Sequence, residues 1–120
     1  MKEIEVKQET KRCSLLLALL LIFVTTQISF AQNIEITVTT TAEWNAALST
    51  IQNGGGNQTY TITVSGNVSV SGSTSNNFGS VQNVEVTLKG SGTLSLSSNG
   101  SILNVGSNQT LTIDDENLTL

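Results

Sequence analysis

The side chains able to do chemistry sit in one short run, Asp114-Asp115-Glu116, directly after the alternating stretch Leu111–Ile113. Three adjacent acids suggest a Ca²⁺ site or half of a carboxylate pair for glycosidic-bond hydrolysis. Their spacing argues against both. Residues adjacent on a strand point to opposite faces, so the three carboxylates do not converge, and the calcium-binding repeat G-G-x-G-x-D is absent. A solvated corner between two strands accounts for the cluster. The other charged groups of the region from Gln32 onward are Glu35, Glu43, Glu85 and Lys89, all isolated.

What is missing narrows the chemistry further. From Gln32 to Leu120 there is no His, Cys, Arg, Pro or Met. Histidine-based triads, thiol nucleophiles and zinc sites therefore have no ligands or bases to draw on. Ser and Thr hydroxyls are abundant, but no general base accompanies them. Gly54-Gly55-Gly56 is not a phosphate loop, because no Lys follows it and no helix begins there. We therefore expect no catalytic, cofactor-binding or metal-binding residues, no cofactor, and no enzymatic activity. One Lys against six acids leaves this region at a charge of -5, which disfavours nucleic acid as a partner. N-x-S/T sequons at Asn57, Asn67, Asn99, Asn108 and Asn117 are what a chain this rich in Asn, Ser and Thr contains by composition.

The elements that would carry these residues follow an address segment. Lys11-Arg12 precedes the unbroken apolar run Leu15–Val24, and Ser29 and Ala31 occupy the small-residue positions of a signal-peptidase site. Residues 1–31 read as a signal peptide cleaved after Ala31, and the protein as exported, either secreted or held at a bacterial cell surface. The alternative is an uncleaved anchor over residues 13–31, the one segment with membrane affinity; Thr25, Thr26, Gln27 and Ser29 weaken its far end. Cys13 lies before the apolar run, so it is no lipid-attachment site.

Residues 32–58 read as a short strand and a capping helix. Ile34, Ile36 and Val38 alternate with polar residues. Thr40-Thr41-Ala42-Glu43 fits a capping box, and Trp44, Ala47, Leu48 and Ile51 then fall on one helical face. Trp44 reads as the core anchor of that helix rather than a ligand-stacking residue. Asn53-Gly54-Gly55-Gly56 ends it.

From residue 59 to 120 the period becomes 2, with a longer repeat beneath it. Ile62, Val86 and Leu111 recur at 24 and 25 residues, as do Val64, Leu88 and Ile113; Val68, Leu94 and Leu118 follow at 26 and 24, with Val70, Leu96 and Leu120 in step. Phe78 to Ile102 and Val81 to Val105 repeat at 24. A shift of 17 also aligns Val86, Leu103 and Leu120, but it fails across Tyr60–Val81. The expected fold is therefore all-β: a parallel β-helix solenoid of about 24 residues per coil and two and a half coils, preceded by the short strand and the amphipathic capping helix. Ile62, Val86 and Leu111 would stack as one inward column, with Thr and Ser outward. Gly66, Gly72, Gly90 and Gly92 would supply corners of positive φ, and Asn67, Asn99, Asn108 and Asn117 turn positions.

The stretches Tyr60–Ser73 (YTITVSGNVSVSGS), Val84–Ser98 (VEVTLKGSGTLSLSS) and Ile102–Leu120 (ILNVGSNQTLTIDDENLTL) resemble bacterial right-handed parallel β-helix proteins of the pectin-lyase-like superfamily, in their non-enzymatic surface form. The resemblance implies a structural or adhesive module that contacts glycans or surface proteins. The alternative is the N-terminal piece of a β-helix carbohydrate-active enzyme, a polysaccharide lyase or glycoside hydrolase. Lyases of that kind use a basic residue with Ca²⁺ and hydrolases use several Asp; with no Arg and two Asp from Gln32 onward, neither set can be carried over, and the catalytic coils would have to lie elsewhere. The chain stops inside an expected strand, so we expect either a truncated piece of a longer protein or self-association through an open C-terminal coil.

Overall fold

The computed structural model describes residues 31–120. The signal-peptide reading of residues 1–31 thus falls almost wholly outside the described residues. Strand β1 (Asn33–Val38) leads into helix α1 (Thr41–Asn53), and β2 (Gln58–Val64) returns parallel to β1 in adjacent register, Ile34 opposite Tyr60 and Val38 opposite Val64. Parallel neighbours need such a crossover, and the sequence supplies it with a good helix former bounded by two stops. Thr40 is the N-cap: its hydroxyl accepts from the Glu43 N–H, and Glu43 reaches back to the Thr40 N–H. The Glu43 carboxylate also accepts from the backbone and the hydroxyl of Thr39, at 2.7 and 2.6 Å. Trp44, Ala47, Leu48 and Ile51 are the buried face of α1, as their spacing predicts, and Trp44 is fully buried.

The chain then adds β3 (Asn67–Val70), β4 (Val84–Lys89), β5 (Thr93–Leu96) and β6 (Gln109–Ile113). These form a four-stranded parallel sheet in the order β1-β2-β4-β6 and a two-stranded parallel sheet, β3-β5. Between the sheets and α1 lies one core. It includes Val38, Trp44, Ile51, Tyr60, Ile62, Val64, Val68, Phe78, Val86 and Leu94.

This architecture overturns the expectation of an all-β solenoid of two and a half coils. The molecule is mixed α/β, a small parallel sheet with one helix. The first strand is an edge of the main sheet, not part of a separate cap, and the helix is the crossover of a β-α-β unit that contributes four core residues. Around the repeats Phe78–Ile102 and Val81–Val105 no strands form, only the bridge of Asn77 with Asn104, and the last segment meets β5 only through the bridge of Thr93 with Thr119. Loops rich in Ser, Asn and Gly satisfy their backbone groups through side chains there instead. Buried Asn76 donates to the carbonyls of Ser71 and Ser101, and Asn104 to those of Ser73 and Asn76.

The register also differs from the expected spacing. Tyr60, not Ile62, stands beside Val86 and Leu111, while Ile62 aligns with Leu88 and Ile113, so the step from β2 to β4 is 26 residues. Val68 with Leu94 and Val70 with Leu96 pair as their spacing implies. The Thr93–Thr119 bridge places the last segment two residues later than expected. A two-residue slip keeps every side chain on its own face, so alternation alone is blind to it.

Of the four glycines expected at positive φ, only Gly90 has it, at 123°. Gly66 and Gly92 serve instead where backbone lies on backbone: a Cβ on Gly66 would come within 2.6 Å of the Thr39 carbonyl oxygen, and one on Gly92 within 2.5 Å of that of Gly66. Apart from glycines, the left-handed positions are held by Asn57, Asn83 and Asn108, each one residue before a strand. Asn tolerates that conformation better than other non-glycine residues. Of the four expected turn asparagines Asn108 is among them and Asn117 lies in the turn after β6, whereas Asn67 opens strand β3. Asn83 donates its amide to the Asn57 side-chain oxygen at 3.1 Å, which ties one turn to the next.

Candidate functional site

The outward face of the four-stranded sheet is built by strand alternation and register together. Its central row runs Glu35, Thr61, Thr87, Thr112 across β1, β2, β4 and β6. On one side lies the row Asn33, Thr59, Glu85, Thr110, and on the other Thr37, Thr63, Lys89. Hydroxyl groups therefore repeat at about 4.8 Å between strands and about 6.6 Å along them. β-Branched Thr suits this pleated surface for packing reasons as well, so its presence needs no functional cause. Thr61 is buried within the face and donates to the Asn33 side-chain oxygen at 3.2 Å.

The acidic run forms a corner, as its spacing suggested. Asp115 accepts hydrogen bonds from the Asn117 N–H at 2.9 Å, the Asn117 amide at 3.0 Å and the Gly90 N–H at 3.1 Å. The Asn117 N–H, then that of Gly90, hold its carboxyl below the usual aspartate range. Asp115 is thus occupied in closing its own turn and in holding it against the β4–β5 corner. Asp114, Glu116 and Ile113 join it around a shallow depression of about 350 Å³. Among the described residues no three His, Cys, Asp or Glu side chains gather as metal ligands. Glu35 accepts from the Asn33 side chain at 3.0 Å, Glu43 is used in the cap, and Glu85 stands exposed between Thr59 and Thr110, so the structure brings none of these acids together.

A second feature lies at the β6 end. There the large apolar side chains Leu96, Val105, Ile113 and Leu120 are 40–57% exposed. An open groove of about 340 Å³ is lined by Trp44, Leu88, Leu96, Ile102, Leu103, Leu111, Ile113 and Leu120. Trp44 belongs to this wall as well as to the core, and its indole N–H is buried without an acceptor. The spacing of apolar residues showed which side chains face inward, but not that Tyr60 would be among the most deeply buried, with its hydroxyl also unpartnered. No helix among the described residues is long and apolar enough to cross a membrane.

No family model, curated protein or solved structure matches the chain, and nothing in these comparisons identifies the pectin-lyase-like superfamily.

Proposed function

We propose that the protein is an exported, non-enzymatic module, structural or adhesive at the cell surface, that meets extended polymers through the outward face of its parallel sheet. The observation that carries this reading is the threonine-dominated face on which Thr63, Thr87, Thr110 and Thr112 reach the surface around the buried Thr61. Each hydroxyl both donates and accepts, and a rigid sheet presents them at fixed intervals without further ordering. Such a face suits many weak contacts with a hydroxyl-rich polymer. The chain's one Trp and one Tyr are committed to the core, so neither offers a surface for stacking on sugar rings.

Co-sedimentation with insoluble polysaccharides, cellulose and chitin among them, and with immobilised matrix protein tests the reading. Retention by at least one polymer is expected, with loss in the variant Thr87→Lys/Thr112→Lys. Retention unchanged by that pair, or no retention on any polymer, would sink the proposal. Release of reducing or unsaturated sugars by the wild-type chain would instead make it an enzyme.

A further inference from the structure

We infer that the β6 end is a self-docking surface, and that two copies join there about a two-fold axis with their β6 strands paired antiparallel. This stands independently of the polymer-binding reading, since it uses the edge of the sheet and not its face.

The open edge comes first. Among the described residues β6 pairs only with β4, and the Asn108 carbonyl and the Asp114 N–H both point toward that neighbour, bonding Asn83 and Leu88 at 2.8 and 2.9 Å. Backbone direction alternates along a strand, so Thr110 and Thr112 also face β4, and the N–H and C=O groups of Gln109, Leu111 and Ile113 face outward. An unpaired edge of this kind templates the addition of another strand.

The register of the joint follows from these groups. Antiparallel pairing centred on Leu111 sets it opposite the same residue of the second copy, and sets Gln109 opposite Ile113. All three outward-pointing residues then form hydrogen-bonded pairs, with about six backbone bonds across the axis. The inward side of the new joint carries Leu111 and Ile113 with Gln109, whose amide is already bonded to the Gly79 and Val81 carbonyls and the Gly106 N–H, and the grooves beside Leu111 and Ile113 face each other and close. At the far edge Ile34 and Ile36 pack on the core as Leu111 does, but β1 carries no half-exposed apolar side chain such as Ile113, Leu96 and Leu120 provide at the β6 end.

Charge selects the same arrangement. With Leu111 on the axis, Asp114, Asp115 and Glu116 of one copy lie beside Asn108, Ser107 and Gly106 of the other, none of them charged. The two acidic runs are then about eight residues, or roughly 27 Å, apart along the sheet, well beyond the screening length of about 8 Å. Stacking β6 on β1 of a second copy in the existing register would instead place Thr112 beside Glu35 and carry the acidic run toward Glu43. A head-to-tail joint of that kind would also propagate without closing, whereas the two-fold joint is complete at two copies.

The test uses the full chain as an exporting host yields it, in a Cys13→Ser background. The variant Thr110→Cys/Thr112→Cys puts each new thiol opposite the other position of the second copy, in a non-hydrogen-bonded pair of close Cα approach. Mild oxidation is expected to give a covalent dimer, whereas Thr59→Cys, on the inner strand β2, stays single. Sedimentation of the chain without added Cys is expected to show twice the monomer mass at micromolar concentration, and Ile113→Lys, at a half-exposed position, to shift it to monomer. A monomer at every concentration, an open-ended series of larger species, or equal cross-linking of Thr59→Cys would each overturn the inference. So would a covalent adduct of the Thr110→Cys/Thr112→Cys variant with a different polypeptide in place of a second copy.

Discussion

The Tyr60 hydroxyl lies directly over Gly54, so close that any side chain at residue 54 would occupy its place. Gly54 sits at the C-cap of α1 with φ of -78°, an ordinary conformation for any residue, so contact and not backbone freedom demands glycine there. The hydroxyl itself is buried without a partner, and burial pushes its pKa up.

Two substitutions should therefore be strongly coupled. Gly54→Ala is expected to destabilise by about 1–3 kcal/mol, the usual range for overpacking. Tyr60→Phe removes an unsatisfied polar atom and is expected to be neutral or stabilising. The double variant should recover part of the Gly54→Ala loss, since the Tyr60 ring carbon is also only 3.2 Å from the added Cβ. A denaturant double-mutant cycle measures the coupling, and simple additivity would refute the contact.

Three other glycines separate strain from space. Gly55 has φ of 80° but open surroundings; Gly92 has backbone and the Val64 side chain in the way of a Cβ; Gly90 has both problems, with φ of 123° and the Val64 backbone against it. Alanine substitution is expected to cost about 1 kcal/mol at Gly55, about 1–3 kcal/mol at Gly92, and more than either at Gly90. Urea midpoints at matched m-value would rank them. A Gly90→Ala variant as stable as Gly55→Ala would show that the β4–β5 corner does not lie on Val64.

Acid should weaken two turns. Hydrogen bonds from the Thr39 hydroxyl and backbone, and then from Thr40, hold the Glu43 carboxyl below its ordinary value near 4.5; the N–H groups of Asn117 and Gly90 hold Asp115 below 3.8. A group whose pKa is lowered on folding stabilises fully above its unfolded value, and that contribution disappears as pH falls through the folded one. Melting temperature should accordingly be flat above about pH 5 and fall below it. Glu43→Gln should melt lower than wild type at neutral pH and lose less on acidification. Parallel melting-temperature curves for wild type and variant below pH 4.5 would count against the capping role of Glu43.

Local structure was legible in the residues because local physics decides it. The capping box at Thr40–Glu43, the buried stripe from Trp44 to Ile51 and the alternating strands each follow from short-range spacing. The fold class was not, because a strand, a helix and a strand can be a cap on a stack or a crossover within a sheet, and only the β1–β2 pairing distinguishes them. The turn residues were half legible for a similar reason: Asn57, Asn83 and Asn108 share one place relative to β2, β4 and β6, which becomes visible only once the register is known. The hydroxyl face was implied by outward Thr, whereas its rows depend on which Thr stands beside which.

That register gives the sharpest remaining test, because the spacing-based alignment and the observed pairing place different threonines side by side. In the sheet Thr61 adjoins Thr87; an alignment of Ile62 with Val86 would instead put Thr63 there. Adjacent outward positions on neighbouring strands are about 4.8 Å apart, within reach of a disulfide, while a two-residue offset is not. In a Cys13→Ser background, Thr61→Cys/Thr87→Cys should oxidise within one chain and raise stability by about 3 kcal/mol, the value expected for closing a loop of this length. Thr63→Cys/Thr87→Cys should remain reduced or cross-link only between chains. The reverse outcome would restore the shorter repeat, move Tyr60 out of line with Val86 and Leu111, and dissolve the threonine row on which the polymer-binding face is built.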